Sequence, residues 1–161
     1  MIRGHVLRIN IKPETEGERG IPKYPVSVAR VLKSGIEGDF NRHRYEHGNI
    51  IDKALLVLPY ERLVELNGKG WPVKFGDLGE NITTIGITYD DFQENSIYKI
   101  GDDISIQLTR TCKPCKNLAK LPYVGEEKVA NFISILLGNR GWYARVLREG
   151  EIRQGMLITK V

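Results

Sequence analysis

Residues 97–109 read IYKIGDDISIQLT. Ile104, Ile106 and Leu108 fall on one face and Ser105, Gln107 and Thr109 on the other, the period-two alternation of a half-buried strand. Gly101-Asp102-Asp103 separates it from a shorter strand at 97–100, so it is expected as a hairpin turn rather than a metal site. Further strands are expected at 2–11, 26–32, 51–58 and 82–88, and as WYARVL and IRQGMLI, a hairpin or strand pair around a tight Glu149-Gly150 turn. Two segments carry helical spacing. Pro59 fits the first turn of one, with Tyr60, Leu63, Val64 and Asn67 on one face and Gly68 closing it. In the other, Val129, Phe132, Ile133, Leu136 and Leu137 form a stripe that ends at Gly138. Helices are therefore predicted near 59–67 and 126–137. Strands come in runs and do not alternate with helices. This argues against a doubly wound parallel sheet and for a mainly β, barrel-like, mostly antiparallel fold with a few peripheral helices.

The 161 residues suffice for one domain, 1–161, with a core that needs no staples. The 17 glycines and seven prolines supply the turns that short strands require. Charged, proline-bearing 12–25 and polar 33–49 read as loops, the second long enough to be functional. No apolar stretch approaches the ~20 residues of a membrane span. The N-terminus lacks the apolar core of a signal peptide, so a cytoplasmic location and no membrane partner are expected. The net charge of +4 is spread along the chain rather than striped among aromatics. Nucleic acid is not the expected partner, and small anions suit the balance as well as polymers do.

The two cysteines, Cys112 and Cys115, form one C-x-x-C directly after the 104–109 strand, among Arg110, Lys113 and Lys116. Adjacent cations favour thiolate, the form that attacks sulfur, carries a persulfide or ligates a soft metal. Zinc would need two more ligands, and His43 and His47 are the natural source. A thioredoxin-like role would need a βαβ setting that this strand-rich chain disfavours. GDLGENIT at 76–83 lacks the Gly-Lys-Ser/Thr of a phosphate loop, and it does not open a long helix after a strand as a dinucleotide loop does. Its glycines allow positive φ and close backbone approach, while Asp77, Glu80 and Asn81 can fix a loop through backbone bonds.

Taken in order, GIEGDFNRHR, DKALLVLPYERL, GDLGENITTIGI, YKIGDDISI with TRTCKPCKNL, and NRGWYARVLREGEIRQGMLI resemble the MOSC domain. That family includes the C-terminal domain of molybdenum-cofactor sulfurases and stand-alone prokaryotic proteins. The resemblance runs from about residue 20 to the C-terminus, and the G-x-L-G-E-N block and Pro114-Cys115 are its most specific parts. It implies a barrel-like fold and handling of sulfur at, or binding of, the molybdenum cofactor (molybdopterin). The family cysteine maps onto Cys115, which becomes the candidate metal ligand, and the loop asparagine onto Asn81. Glu80, Asn81, Arg110, Lys113, Lys116 and His43 are the candidate cofactor contacts, with Cys115 and Cys112 as candidate catalytic thiols. The gap from Arg110 to Cys115 is longer than usual and Cys112 is additional, so both cysteines stay in play.

Two function classes follow. In one, Cys115 accepts a persulfide from a cysteine desulfurase, or ligates molybdenum while an N-hydroxylated compound is reduced with electrons from a partner. Pyridoxal phosphate is then expected only in the partner desulfurase, because the chain is too short to hold that domain. The other is a non-catalytic, small basic β-barrel binding module with a structural zinc held by Cys and His.

Overall fold

The computed structural model describes residues 1–13, 20–41 and 50–161. Among these, the strands are β1 (Arg3–Ile11), β2 (Tyr24–Val26), β3 (Val28–Leu32), β4 (Gly35–Ile36), β5 (Leu55–Pro59), β6 (Ile82–Ile85), β7 (Ile97–Ile100), β8 (Ile104–Thr111), β9 (Trp142–Arg148), β10 (Gly150–Arg153) and β11 (Leu157–Lys160). The α-helices are α1 (Tyr60–Gly68) and α2 (Gly125–Leu136). Seven strands close a barrel in the order β1-β11-β7-β8-β9-β5-β6, with β6 returning to β1. The β2 strand extends the sheet from β1, and β10-β3-β4 form a separate small sheet. All the pairings are antiparallel except β5 with β6. That pair is joined through α1 and the 69–81 loop, a crossover of the length a parallel pair requires.

Two hydrophobic clusters divide the core. The barrel interior holds Val6, Ile9, Ile82, Ile100, Ile106, Leu108 and Val146 among others. A second cluster lies under the helices, where Leu63, Leu66, Phe132 and Leu136 meet Leu58, Leu78 and Leu118. Strand β5 is buried along its whole length, with Val57 in the first cluster and Leu58 in the second. A strand covered on both faces reads as a continuous apolar run, which explains LLVLP.

Several local expectations change. Strands β9 and β10 do not form a hairpin: β9 pairs with β5 and β8, whereas β10 pairs with β3. Gly150 begins β10 itself, and the chain changes sheets there. The expected 26–32 strand divides around Ser27 for the same reason, β2 pairing with β1 and β3 with β10. In β1 the register with β6 shifts between Val6 and Arg8. The bulge puts Val6, Ile9 and Asn10 inside and leaves Leu7 half-buried, so the alternation of Leu7, Ile9 and Ile11 does not describe one face. On α1, Leu63 and Leu66 are buried and Val64 is exposed. On α2, Val129, Phe132 and Leu136 are buried, whereas Leu137 lies past the last turn and faces solvent.

Candidate functional site

The GDLGEN loop is built around a close approach. Gly76 has φ 83°, and a Cβ there would sit 2.1 Å from the Lys23 carbonyl oxygen. The Lys23 amide donates to Gly76 O at 2.8 Å, so the 20–23 segment is laid directly against the loop. Gly79, at φ 88°, faces the Ile21 side chain in the same way. Asp77 Oδ2 accepts from the Lys74 amide at 2.9 Å and from the Tyr123 hydroxyl at 2.8 Å, which fixes the turn from both sides.

The loop then delivers Asn81, which is 3% exposed. Its Oδ1 accepts from the Leu56 amide at 3.1 Å. Its Nδ2 donates to Asp39 Oδ2 at 2.9 Å and to Asn10 O at 3.3 Å. The amide therefore brackets β1, β5 and the 39–40 segment. Asp39 also accepts from Lys23 Nζ in a buried ion pair at 2.6 Å, and from the Lys12 amide at 2.8 Å. A buried charge pair held in additional hydrogen bonds fixes geometry as well as charge.

At the end of β8 the chain reaches the cysteines. The Cys112 amide donates to Gly141 O at 2.8 Å, which ties the thiol segment to the start of β9. Cys112 is 3% exposed, and its sulfur is hydrogen-bonded to the Tyr143 hydroxyl at 3.1 Å. Cys115 is half-buried and is not in a disulfide. Arg140, 6% exposed, reaches between the two loops. Its Nε donates to Leu78 O at 3.2 Å, and its Nη1 donates to Lys113 O at 3.3 Å and toward Cys115 Sγ at 3.6 Å. Burial alone pulls the guanidinium pKa down, but the Cys112 and Cys115 sulfurs and Tyr143 outweigh it and hold the pKa above its ordinary value. Tyr143 is pushed up, first by burial and then by Cys112, so its hydroxyl keeps its proton.

These groups line one cavity of about 270 Å³. Lys23, Lys53, Lys113 and Arg140 contribute its charges, and no carboxylate lines it among the described residues. Lys53 Nζ lies over the Tyr143 ring, 5.3 Å from its centroid. Of the residues expected from sequence, Cys112, Cys115, Lys113 and Asn81 meet here. Glu80 stands behind the wall, fully buried, its pKa raised from 4.5 to about 7 mainly by burial and partly by Asp77. Arg110 turns away to Asp52, 3.7 Å distant, and Lys116 is exposed outside the lining. His43, and His47 with it, lies outside the described residues, so the zinc donor set gains no geometry. Sequence reasoning missed Arg140, Tyr143, Lys53 and Lys23. The available signal was NRGW: Gly141, at φ 121° with its Cβ position 2.9 Å from Val57 O, marks a close backbone approach beside an arginine.

A MOSC domain model matches residues 38–159. The structure of YiiM from Geobacillus stearothermophilus is 31% identical and superposes with a TM-score of 0.73 over 98% of this chain and 75% of that one. YUAD from Bacillus subtilis, 17% identical, gives 0.77 over 97% of this chain and 94% of that one, a likeness of fold. A protein named "Reductase" from Gibberella moniliformis is 31% identical over 87 residues, which are 52% of this chain and 14% of that protein. With the barrel, the G-x-L-G-E-N loop and the family match in agreement, the chain belongs to the MOSC domain family.

Proposed function

We propose that the cavity binds the molybdenum cofactor, with Cys115 as the sulfur donor, and that the chain serves in reduction of N-hydroxylated compounds with electrons from a partner protein. The observation that carries this reading is the convergence of Cys115 with four cations and no carboxylate on one described wall. A pterin dithiolene with a phosphate asks for that donor set: soft sulfur toward molybdenum, and ammonium or guanidinium groups toward phosphate. Gly79 bares its backbone to the cavity beside Ile21 and Arg140. When bound, the cofactor supplies two-electron redox chemistry.

The chain's own residues do the rest. Lys113, Lys53 and Arg140 set the positive potential of the cavity, while the charge of Lys23 is matched by Asp39. Arg140 holds the Cys115 side of the cavity against the Leu78 side. Tyr143 keeps a proton on its hydroxyl next to Cys112. Asn81 stands in the wall, and Asp39 and Glu80 act from behind it as its frame. The fungal protein named as a reductase favours this over sulfur carriage, which would use the same Cys115 as a persulfide charged by a cysteine desulfurase.

Protein purified from a molybdate-fed host tests the proposal. Molybdenum together with pterin fluorescence is expected. Stoichiometric zinc without either would favour the binding-module alternative. A persulfide on Cys115 without molybdenum would favour the carrier.

A further inference from the structure

The basic residues are less evenly spread than the overall charge suggests, and the cysteine loop is a local cluster of them. Arg110, Lys113, Lys116 and Lys120 lie within eleven residues that contain no carboxylate, and all four are exposed. The chain as a whole carries 24 Lys and Arg against 20 Asp and Glu. Its entire excess of +4 therefore equals the charge of this segment, and the rest balances. Arg110 shares Asp52 with Arg145, so one carboxylate serves two guanidinium groups and the balance at this spot stays positive among the described residues. Lys53, next in sequence to Asp52, carries the positive charge onto the cavity wall. The next carboxylates along the chain, Glu126 and Glu127, come only in the first turn of α2.

Two separate sets of cations are thus present. Lys23, Lys53, Lys113 and Arg140 line the cavity. Arg110, Lys116 and Lys120 do not line it, so a ligand confined to the cavity leaves them unused. Lys116 and Lys120 open and close the short 3₁₀ turn that directly follows Cys115. A cluster of one sign on the segment that carries a half-buried reactive group steers a partner of opposite sign and sets its register.

We infer that the Arg110–Lys120 rim is a docking surface for an acidic protein face, which the partner uses to bring its reactive group to the mouth over Cys115. This deepens the functional reading above, because it rests on Cys115 being the reacting group. It does not depend on which cofactor the cavity holds.

The test uses protein purified from a host that makes no molybdenum cofactor, so that the Cys115 sulfur is open to alkylation, with a flavodoxin, an acidic electron-carrier protein, as the probe. Alkylation of Cys115 by neutral iodoacetamide is followed by peptide mass spectrometry with and without the probe. At about 10 mM salt, where charges act over about 30 Å, the probe is expected to slow alkylation at least fivefold. About 1 M salt, which screens within about 3 Å, should remove the protection. The variant Arg110→Glu/Lys116→Glu/Lys120→Glu, its fold checked by circular dichroism, should lose the protection. A variant with equal charge loss elsewhere, Arg3→Glu/Lys69→Glu/Lys99→Glu, should keep it. No protection of the native chain, or equal protection in both variants, would overturn the inference. Equal protection by citrate would also overturn it, by showing a small-anion subsite in place of a protein dock. Each of these results leaves the molybdenum analysis as it stands, so the two readings fail separately.

Discussion

Arg140 Nη1 lies 3.6 Å from the Cys115 sulfur while Arg140 Nε donates to Leu78 O at 3.2 Å, so one buried side chain joins the cysteine loop to the glycine loop. The two loops are far apart in sequence and neither pairs with the other in a sheet. Their relative position over the cavity depends on this guanidinium and on the Gly141 backbone beside it.

Arg140→Met should therefore do more than remove a charge. It leaves the Leu78 and Lys113 carbonyls without this donor, at ~1–3 kcal/mol for each buried group left unpaired. A clear drop in melting temperature is expected, together with slower alkylation of Cys115, roughly tenfold, as the adjacent cation that favours thiolate is lost. Arg140→Lys should recover part of the alkylation rate and little of the stability, because an ammonium cannot span three acceptors. Native melting and native alkylation in Arg140→Met would remove the link.

Glu80 gives a pH signature. Its pKa in the fold is raised from 4.5 to about 7, so the folded state favours the protonated acid. The stability this contributes is complete below pH 4.5 and is lost as pH rises through about 7. The span corresponds to roughly 3 kcal/mol. Glu80→Gln, which copies the neutral acid, should flatten denaturant stability between pH 5 and pH 8, about the window of that shift. Its advantage over the native chain should be greatest at the alkaline end. An unchanged slope would show that Glu80 titrates at its ordinary value.

Leu136→Asp should unfold the domain, and Glu127→Ala should not. Leu136 is fully buried beneath α2, where an unpaired carboxylate costs several kcal/mol or forces the helix off. Glu127 is exposed on the first turn. Thermal melts of the two variants decide this, and equal midpoints would contradict the assignment of the stripe to the core.

The fold was legible where the local pattern and the partner agree. Residues 97–109 alternate cleanly because both strands of that hairpin have one face in the barrel, and they pair as expected, with Ile100 opposite Ile104. The helix stripes were legible to within a residue or two, apart from the exposed Val64 and Leu137. Where the chain changes sheets, the local pattern does not name the partner: Ser27 sits between Val26 and Val28 as in an unbroken strand, and Glu149-Gly150 reads as a hairpin turn although β10 pairs with β3. The bulge in β1 was hidden because Leu7, Ile9 and Ile11 alternate in sequence through it.

The site divides along similar lines. Cys112, Cys115 and Lys113 were found because cations beside thiols have a chemical meaning in one short stretch. Arg110 and Lys116 belong to the same stretch, yet they point outward, since adjacent positions leave a β8 end or a 3₁₀ turn in different directions. Arg140, Tyr143, Lys23 and Lys53 come from elements separated by tens of residues and are joined only by barrel closure.

The central claim is that Cys115 is the thiol on which cofactor retention depends. The most direct measurement is the molybdenum content per chain of native protein, Cys115→Ser and Cys112→Ser, purified in parallel from a molybdate-fed host. Serine keeps the shape of the side chain but offers a hard oxygen that suits molybdenum poorly. The account predicts metal in the native chain, loss of most of it in Cys115→Ser, and a reduced but measurable content in Cys112→Ser, whose sulfur is turned to Tyr143. Molybdenum that survives Cys115→Ser and disappears with Cys112→Ser would contradict it.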